Sequence, residues 1–357
     1  MGTTRFRRSI KIAPGLKVNL TKKGVGLTAG VRGAHYSVHS SGRRTATVGI
    51  PGSGLYYQDR TSGHSTKAHP SGPHPASGAT HPLQPSTRID PAQVIPKPGL
   101  FASGPEKAYH SGVLAYLGSN HEAALADFER VTAADPSAAS AHLFAGSLCN
   151  ALGYRPRAIA HFEAVVSGPH AIPDRYQAKY LADPRLALHM SITTTDSITA
   201  TPPFDALGAA LALADVYKSA GKLEEAIGLI QQLEEASPDP LVRLTLCDLL
   251  FADKDYEGVV EASVGVANAS DIDVETLHLR AAALVSLGHN TAAMDSFRDA
   301  LAKTANRDPG LLNAVRYDRA LAFEQAGQQA KAKADLERIY AADPKFSDVR
   351  DRLAAMG

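Results

Sequence analysis

The sequence predicts a multidomain chain: a small all-β meander module, then an all-α helical-hairpin solenoid. Three observations predict it. Apolar and polar residues alternate through residues 1–60, a tract rich in Pro, Ser, Gly and His follows, and beyond it a helical pattern repeats with a period near 34 residues. The repeat is a small residue followed four later by a large apolar one: Ala124/Phe128, Ala158/Phe162, Ala226/Ile230, Ala293/Phe297 and Ala332/Leu336, with Val259 in the small slot between. Such a period marks hairpins that bury their apolar faces only by stacking on their neighbours.

Residues 1–60 read as about five or six short antiparallel strands. Period-two alternation runs through Ile10-x-Ile12, Leu16-x-Val18-x-Leu20, Val25-x-Leu27-x-Ala29-x-Val31, Tyr36-x-Val38 and Ala46-x-Val48-x-Ile50. That is the pattern of a sheet with one dry face. Pro14-Gly15, Lys22-Lys23-Gly24, Arg32-Gly33, Ser41-Gly42 and Pro51-Gly52 separate the runs as turns. One small sheet leaves its apolar face uncovered, so the module needs self-association, closure on itself or docking elsewhere. Phe6-Arg7-Arg8-Ser9-Ile10-Lys11-Ile12-Ala13-Pro14-Gly15, Asn19-Leu20-Thr21-Lys22-x-Gly24 and Val48-Gly49-Ile50-Pro51-Gly52-x-Gly54-Leu55 make this segment resemble a short bacterial domain of unknown function. The resemblance implies a small all-β module at the N-termini of bacterial proteins and brings no activity with it.

Residues 61–98 hold eight prolines and many small polar residues, which cannot bury enough surface to offset chain entropy, so a flexible linker is expected. His64, His69, His74 and His81 are spaced too irregularly there for a metal site.

From residue 99 to 357 the chain reads as about six helical hairpins, the first beginning near Pro105 and the last ending at Asp343-Pro344, with Phe346–Met356 as a cap helix. Small residues at Gly112, Gly146, Ala214, Ala281 and Ala320 let the two helices of a hairpin approach, while Phe128, Phe162 and Phe297 fill the gap toward the next. With small residues in the eighth and twentieth slots and Pro in the thirty-second, the stretch 105–344 resembles the tetratricopeptide repeat. The tryptophan-like slot is empty throughout, and the unit around Val259 is degenerate. Between 167 and 204 the helical period disappears. A short helix near 174–182 and a β-hairpin around Thr193-Thr194-Thr195-Asp196 are expected there as an insertion. Insertions in such arrays are either spacers or carriers of specificity.

Charge separates the parts. Residues 1–60 hold eleven Lys/Arg against one acid (+10), 61–98 three against one (+2), and 99–357 twenty-three against thirty-four (−11). The basic patch of Arg5, Arg7, Arg8, Lys11, Lys22, Lys23, Arg43 and Arg44 suits phosphates or an acidic protein surface. In the repeats, the resemblance places ligand-facing slots on the first helix of each hairpin. Here those slots hold Glu106, Tyr109, Tyr116, Leu143, Asn150, Leu211, Asp215, Leu244, Asp248, Glu275, His278, Tyr317 and Glu324, without the Lys and Asn set that clamps a C-terminal carboxylate. An apolar and acidic groove of this kind prefers a peptide or partner domain that is basic or apolar.

Nothing in the residues points to chemistry. Gly49-Ile50-Pro51-Gly52-Ser53-Gly54 lacks the Gly-Lys-Ser/Thr ending of a phosphate loop, and no Gly-x-Ser-x-Gly, His-Glu-x-x-His or metal-ligand spacing occurs. Cys149 and Cys247 sit in apolar helical runs with no Cys-x-x-Cys spacing. No apolar run nears the ~18 residues of a membrane span, and the first residues lack a secretory signal, so the expected place is the cytoplasm. The expectation is a bacterial, non-enzymatic adaptor or scaffold with a protein or peptide partner and no metal or cofactor. The alternative is a nucleic-acid-associated protein whose basic β module binds DNA or RNA while the repeats recruit a partner.

Overall fold

A computed structural model describes residues 94–168, 172–183, 186 and 188–356, together with the backbone alone of six N-terminal strands. These are β1 (Arg7–Ala13), β2 (Leu16–Thr21), β3 (Gly24–Val31), β4 (Ala34–His39), β5 (Arg44–Gly49) and β6 (Leu55–Thr61). Each is antiparallel to the next, with Ile10 opposite Val18 and Val18 opposite Leu27. Arg5, Lys22, Lys23, Arg43, the side chains of Arg7, Arg8, Lys11 and Arg44, the turn at 50–54 and the linker 62–93 with its four histidines lie outside the described residues.

The helical-repeat architecture expected after residue 99 is present. Helices α1 (Gly104–Leu117), α2 (His121–Ala134), α3 (Ala139–Ala151) and α4 (Arg155–Ser167) come first. The insertion follows as α5 (Arg175–Tyr180), β7 (Leu188–Met190), β8 (Ile192–Thr193) and β9 (Thr199–Ala200), with Ile192 opposite Ala200. Then come α6 (Ala206–Ser219), α7 (Leu223–Ala236), α8 (Pro240–Ala252), α9 (Tyr256–Ala262), α10 (Asp271–Ser286), α11 (Asn290–Leu301), α12 (Pro309–Gln325), α13 (Gln329–Ala342) and α14 (Val349–Met356). Contacts divide the chain into two units, one of residues 5–151 and 169–189, the other of residues 1–4, 152–168 and 190–357.

Local chemistry explains where these helices start and turn. Ser103 opens α1 with a capping box: its Oγ accepts the Glu106 amide, and Glu106 Oε2 accepts the Ser103 amide. Asn120, Asp205, Asp239, Asp255, Ser270 and Asp308 cap α2, α6, α8, α9, α10 and α12 with side-chain oxygens. The turn before each second helix carries one left-handed residue: Ser119, Gly153, Gly221, Lys254, Gly288 and Gly327. Each stands five residues before the small second-helix residue, and all six of those (Ala124, Ala158, Ala226, Val259, Ala293, Ala332) are fully buried. The hairpin turn therefore repeats as strictly as the core does.

Packing explains the small slots. A Cβ on Gly112 would stand 3.2 Å from Phe128 and from the Asp127 Cβ on the partner helix. In the second unit Leu244, Val274, Leu277, Ala281, Phe297, Ala300, Leu311 and Val315 form one apolar cluster, and Ala320, Ala332, Leu336, Ile339 and Val349 another, onto which α14 packs. The degenerate repeat has Ser263 in the place of the large apolar residue. Its Oγ donates to the Val259 carbonyl at 2.6 Å, and α9 stops there after seven residues. Arg280 reaches over from α10 and donates to the Val260 carbonyl at 2.9 Å, replacing the lost apolar packing with a hydrogen-bonded plug.

Candidate functional site

In the first unit α1 and α3 lie side by side, and α5 packs across them. Asp174 joins the pieces: it accepts the Tyr176 and Gln177 amides at the start of α5, and from α3 the Ser140 amide at 2.8 Å and the Ser140 hydroxyl at 2.8 Å. Ser140 Oγ also lies 2.9 Å from the Tyr109 hydroxyl. Tyr109 stacks on Tyr176 with ring centres 5.1 Å apart and has Tyr180 at 5.9 Å, while Phe128 and Phe144 stack beneath at 4.4 Å. Two cations of α5 complete the fit. Lys179 Nζ donates to Glu106 at 2.6 Å, and Arg175 donates to Asp135 at 2.6 Å, where the Tyr176 hydroxyl donates as well. The hydrogen bond from Lys179 holds the Glu106 carboxyl below its usual range.

Tyr109 is completely buried and Tyr116 is 5% exposed, because α5 and the aromatic stack cover the α1 face they stand on. Burial pushes both phenols well above their ordinary range. Asn150 is half-buried at the end of α3. Ser140 joins these residues although the sequence analysis did not single it out. The signal was present in the register: Ser140 stands 34 residues after Glu106, and Asp174 34 after Ser140.

In the second unit the predicted carboxylates do come together. Asp215 on α6 and Asp248 on α8 are both half-buried, and burial raises both carboxyls. Lys218 donates to Asp248 at 2.6 Å and partly offsets that cost, while Glu275 and Asp196 add negative charge beside Asp248. Asp215 senses Lys218 and Asp248 through their charge alone. On α10, His278 is clasped between Glu275 (3.2 Å from Nδ1) and Asp318 of α12 (2.7 Å from Nε2). Burial alone would lower this imidazole, but the hydrogen bonds to Asp318 and Glu275 outweigh it and raise it to about 9. Tyr317 and Glu324 belong to a third set: the Tyr317 hydroxyl donates to Asp348, and Arg352 of α14 donates to Glu324 at 2.7 Å.

The insertion also enters this unit. Ile198, in the β8–β9 hairpin, joins the apolar cluster of Leu244, Val274 and Leu277, and Asp196 lies near enough to Asp248 to raise it. Beneath the hairpin, Gly208 leaves no room for a Cβ against the Pro203 carbonyl and Met190 Sδ. Cys247 is buried, and burial pushes its thiol up to about 12, which leaves it protonated and unreactive at neutral pH. Among the described residues no helix is long and apolar enough to cross a membrane.

Comparison with known proteins finds separate matches for two stretches of the chain. Residues 4–58 match the family profile described as Protein of unknown function (DUF4236). Among solved structures the chain is similar to the N-terminal domain of the EccA1 ATPase from the ESX-1 secretion system of Mycobacterium tuberculosis, at 17% identity over 70% of this chain and 88% of that one, with a TM-score of 0.49. It is also similar to a tetratricopeptide repeat protein from Parabacteroides merdae, at 11% identity over 71% of this chain and 84% of that one, with a TM-score of 0.39. No curated protein matches the sequence. Residues 108–356, which span nearly the whole helical-repeat region, match the profile described as T7SS, ESX-1 secretion system protein EccA1, N-terminal domain, and the chain belongs to that family.

Proposed function

We propose that this protein is a non-enzymatic, cytoplasmic interaction scaffold whose helical repeats hold a basic or apolar peptide, or a partner domain presenting one. The observation that carries this reading is the line of carboxylates on successive first helices. Asp215, Asp248 and Glu275 follow one another through α6, α8 and α10, with Asp196 beside them and burial disfavouring the charges at Asp215 and Asp248. A ligand cation placed there would relieve a cost the free protein bears, which makes charge the source of selectivity. The family description names a secretion-system protein, and we extend that setting to this chain: its partner would be a component or cargo of an apparatus of that type.

The test uses the full chain and an array of lysine- and arginine-bearing peptides. Binding should weaken by about tenfold in Asp215→Asn/Asp248→Asn and fade as salt rises from about 50 to about 500 mM. Binding that ignores both would overturn the role of these carboxylates, and no binding to any peptide or isolated partner would overturn the scaffold itself.

A second reading rests on the +10 charge of residues 1–60 beside the −11 of residues 99–357. Here the N-terminal module folds as a basic all-β meander and binds DNA or RNA, or else docks on acidic repeats of its own or a neighbouring chain. A gel shift with the full chain separates these: Arg7→Glu/Arg8→Glu should abolish retention of nucleic acid if phosphates are the target.

A further inference from the structure

The last hairpin carries a basic face that its fold does not require. Arg316, Arg319 and Phe323 follow one another along α12 at helical spacing, and Lys331, Asp335 and Arg338 do so along α13. The Asp335 carboxylate ties the two helices: Arg319 donates to its oxygens at 2.8 and 2.7 Å, and Arg338 stands 3.7 Å from it. Phe323 lies between two cations, with the Arg319 guanidinium 5.9 Å and the Lys331 ammonium 5.4 Å from its ring centre. Of the other acids on these helices, Asp318 holds His278 and Glu324 holds Arg352. Glu337 stands two residues beyond Asp335, which turns it to the other side of α13. Four cations against one carboxylate leave the face an excess of +3, within a repeat region whose sum is −11.

The first hairpin shows what the repeat itself needs at these positions. With Gly112 matched to Ala320 and Phe128 to Leu336, Asp127 and Arg130 fall on Asp335 and Arg338 and form the same ion pair three residues apart. Ala108, Ser111, Ala115 and Ala123 fall on Arg316, Arg319, Phe323 and Lys331. That hairpin closes on small residues where the last one has three cations and an aromatic ring. The fold returns little to Arg316 in particular. It is half-buried, and its hydrogen bond goes to Asn313 on its own helix at 3.3 Å. Burial, with the charges of Arg319 and Arg338, works against its protonated form more than Asp335 supports it. Like charges gathered at such a cost fit a site that receives an opposite charge.

We propose that this face of α12 and α13 binds a phosphate group, with Arg316 and Arg338 as its principal ligands and Lys331 beside them, while Arg319 stays committed to Asp335. An excess of three charges is more than one carboxylate neutralises. A phosphate monoester brings a charge of about −2 and three acceptor oxygens that suit guanidinium forks. The phosphate belongs either to a phosphorylated side chain of a partner or to a free phosphate compound. The site uses none of the carboxylates of α6, α8 and α10, so it stands or falls apart from the reading built on them.

Calorimetric titration of the full chain at constant ionic strength tests this. The probes are inorganic phosphate, pyrophosphate, and a phosphoserine peptide of otherwise neutral residues beside its unphosphorylated form. Wild type should bind phosphate-bearing probes and ignore chloride and the plain peptide. Arg316→Gln and Arg338→Gln should each weaken that binding by about tenfold. Arg350→Gln, on α14 with a side chain 77% exposed, should bind like wild type. Without phosphate, Arg316→Gln should melt no lower than wild type, because the charge it removes has like charges for neighbours. A peptide bound more tightly than the free ions assigns the site to a phosphorylated partner, and the reverse assigns it to a free phosphate compound; both support the proposal. Phosphate binding that both variants keep, or no binding of any phosphate-bearing probe, overturns it. A lower melting point for Arg316→Gln with undiminished binding makes Arg316 a structural residue and overturns it as well. If Arg316→Gln fails to fold, Arg338→Gln decides alone, since the Arg338 side chain is 67% exposed.

Discussion

His278 shows how much one side chain can carry in this fold. It joins α10 to α12 through Asp318 while Glu275 holds its other nitrogen, and its imidazole is raised to about 9. A group whose folded-state pKa lies above its unfolded value contributes stability that is complete below the unfolded value, about 6.5, and lost as pH rises through the folded one. The melting-temperature gap between wild type and His278→Gln should therefore be widest below pH ~6.5 and close above pH ~9. The full span is on the order of 3 kcal/mol. A gap that does not change with pH would show that the imidazole is neutral in the folded chain. The left-handed turn residues make a similar point about cost. Four of the six are glycine, but Ser119 and Lys254 hold the same conformation with a Cβ, so the turn is imposed by the hairpins on either side. Glycine at 153, 221, 288 and 327 is the residue type that favours this backbone, whereas Ser119 and Lys254 do not advertise it, so their matching roles follow only from the structure.

Between helices, buried ion pairs do the work that apolar contacts do elsewhere. Arg319 on α12 donates twice to Asp335 on α13, at 2.8 and 2.7 Å, and the Asp335 side chain is only 3% exposed. Replacing Arg319 with Ala leaves the buried Asp335 carboxylate only the more distant and exposed Arg338, at 3.7 Å, and should cost about 3 kcal/mol, whereas the double change Arg319→Leu/Asp335→Leu should recover most of it. Chemical denaturation of the three proteins checks this, and a single variant as stable as wild type would mean that Arg338 or water takes over the Asp335 carboxylate. The degenerate repeat follows the same logic with Ser263 and Arg280. In the sequence this repeat reads only as a missing large residue, since the guanidinium that compensates lies 17 positions away on the next helix. The candidate site divides in the same manner. Asp215, Asp248 and Glu275 were predicted by slot, whereas the hold of Tyr317 and Glu324 on the cap depends on Asp348 and Arg352, which stand outside any repeat slot.

In a stacked array each hairpin touches only its neighbours, so stability is lost from whichever end is uncovered. Removing residues 346–357 would expose Leu336, Ile339 and Ala332 by taking away Val349, Phe346, Leu353 and Met356. It should cost on the order of 3–5 kcal/mol locally. Hydrogen exchange should then show α12 and α13 losing protection while α6 to α8 keep theirs, and uniform loss would show that this unit folds as one cooperative block. The 34-residue register, the hairpin count and the opposite charges of the two ends could all be read from the chain, because each depends on residues near one another or on plain sums. The covering of the α1–α3 face could not. Its contacts join Lys179 to Glu106 and Tyr176 to Asp135 across 73 and 41 residues, spacings that the 34-residue period does not encode. Burial of Tyr109 beneath α5 is a three-body outcome of an inserted helix, a capping carboxylate and an aromatic stack. Whether a groove stands open or is already filled depends on such long-range packing, which becomes definite only once the chain has folded.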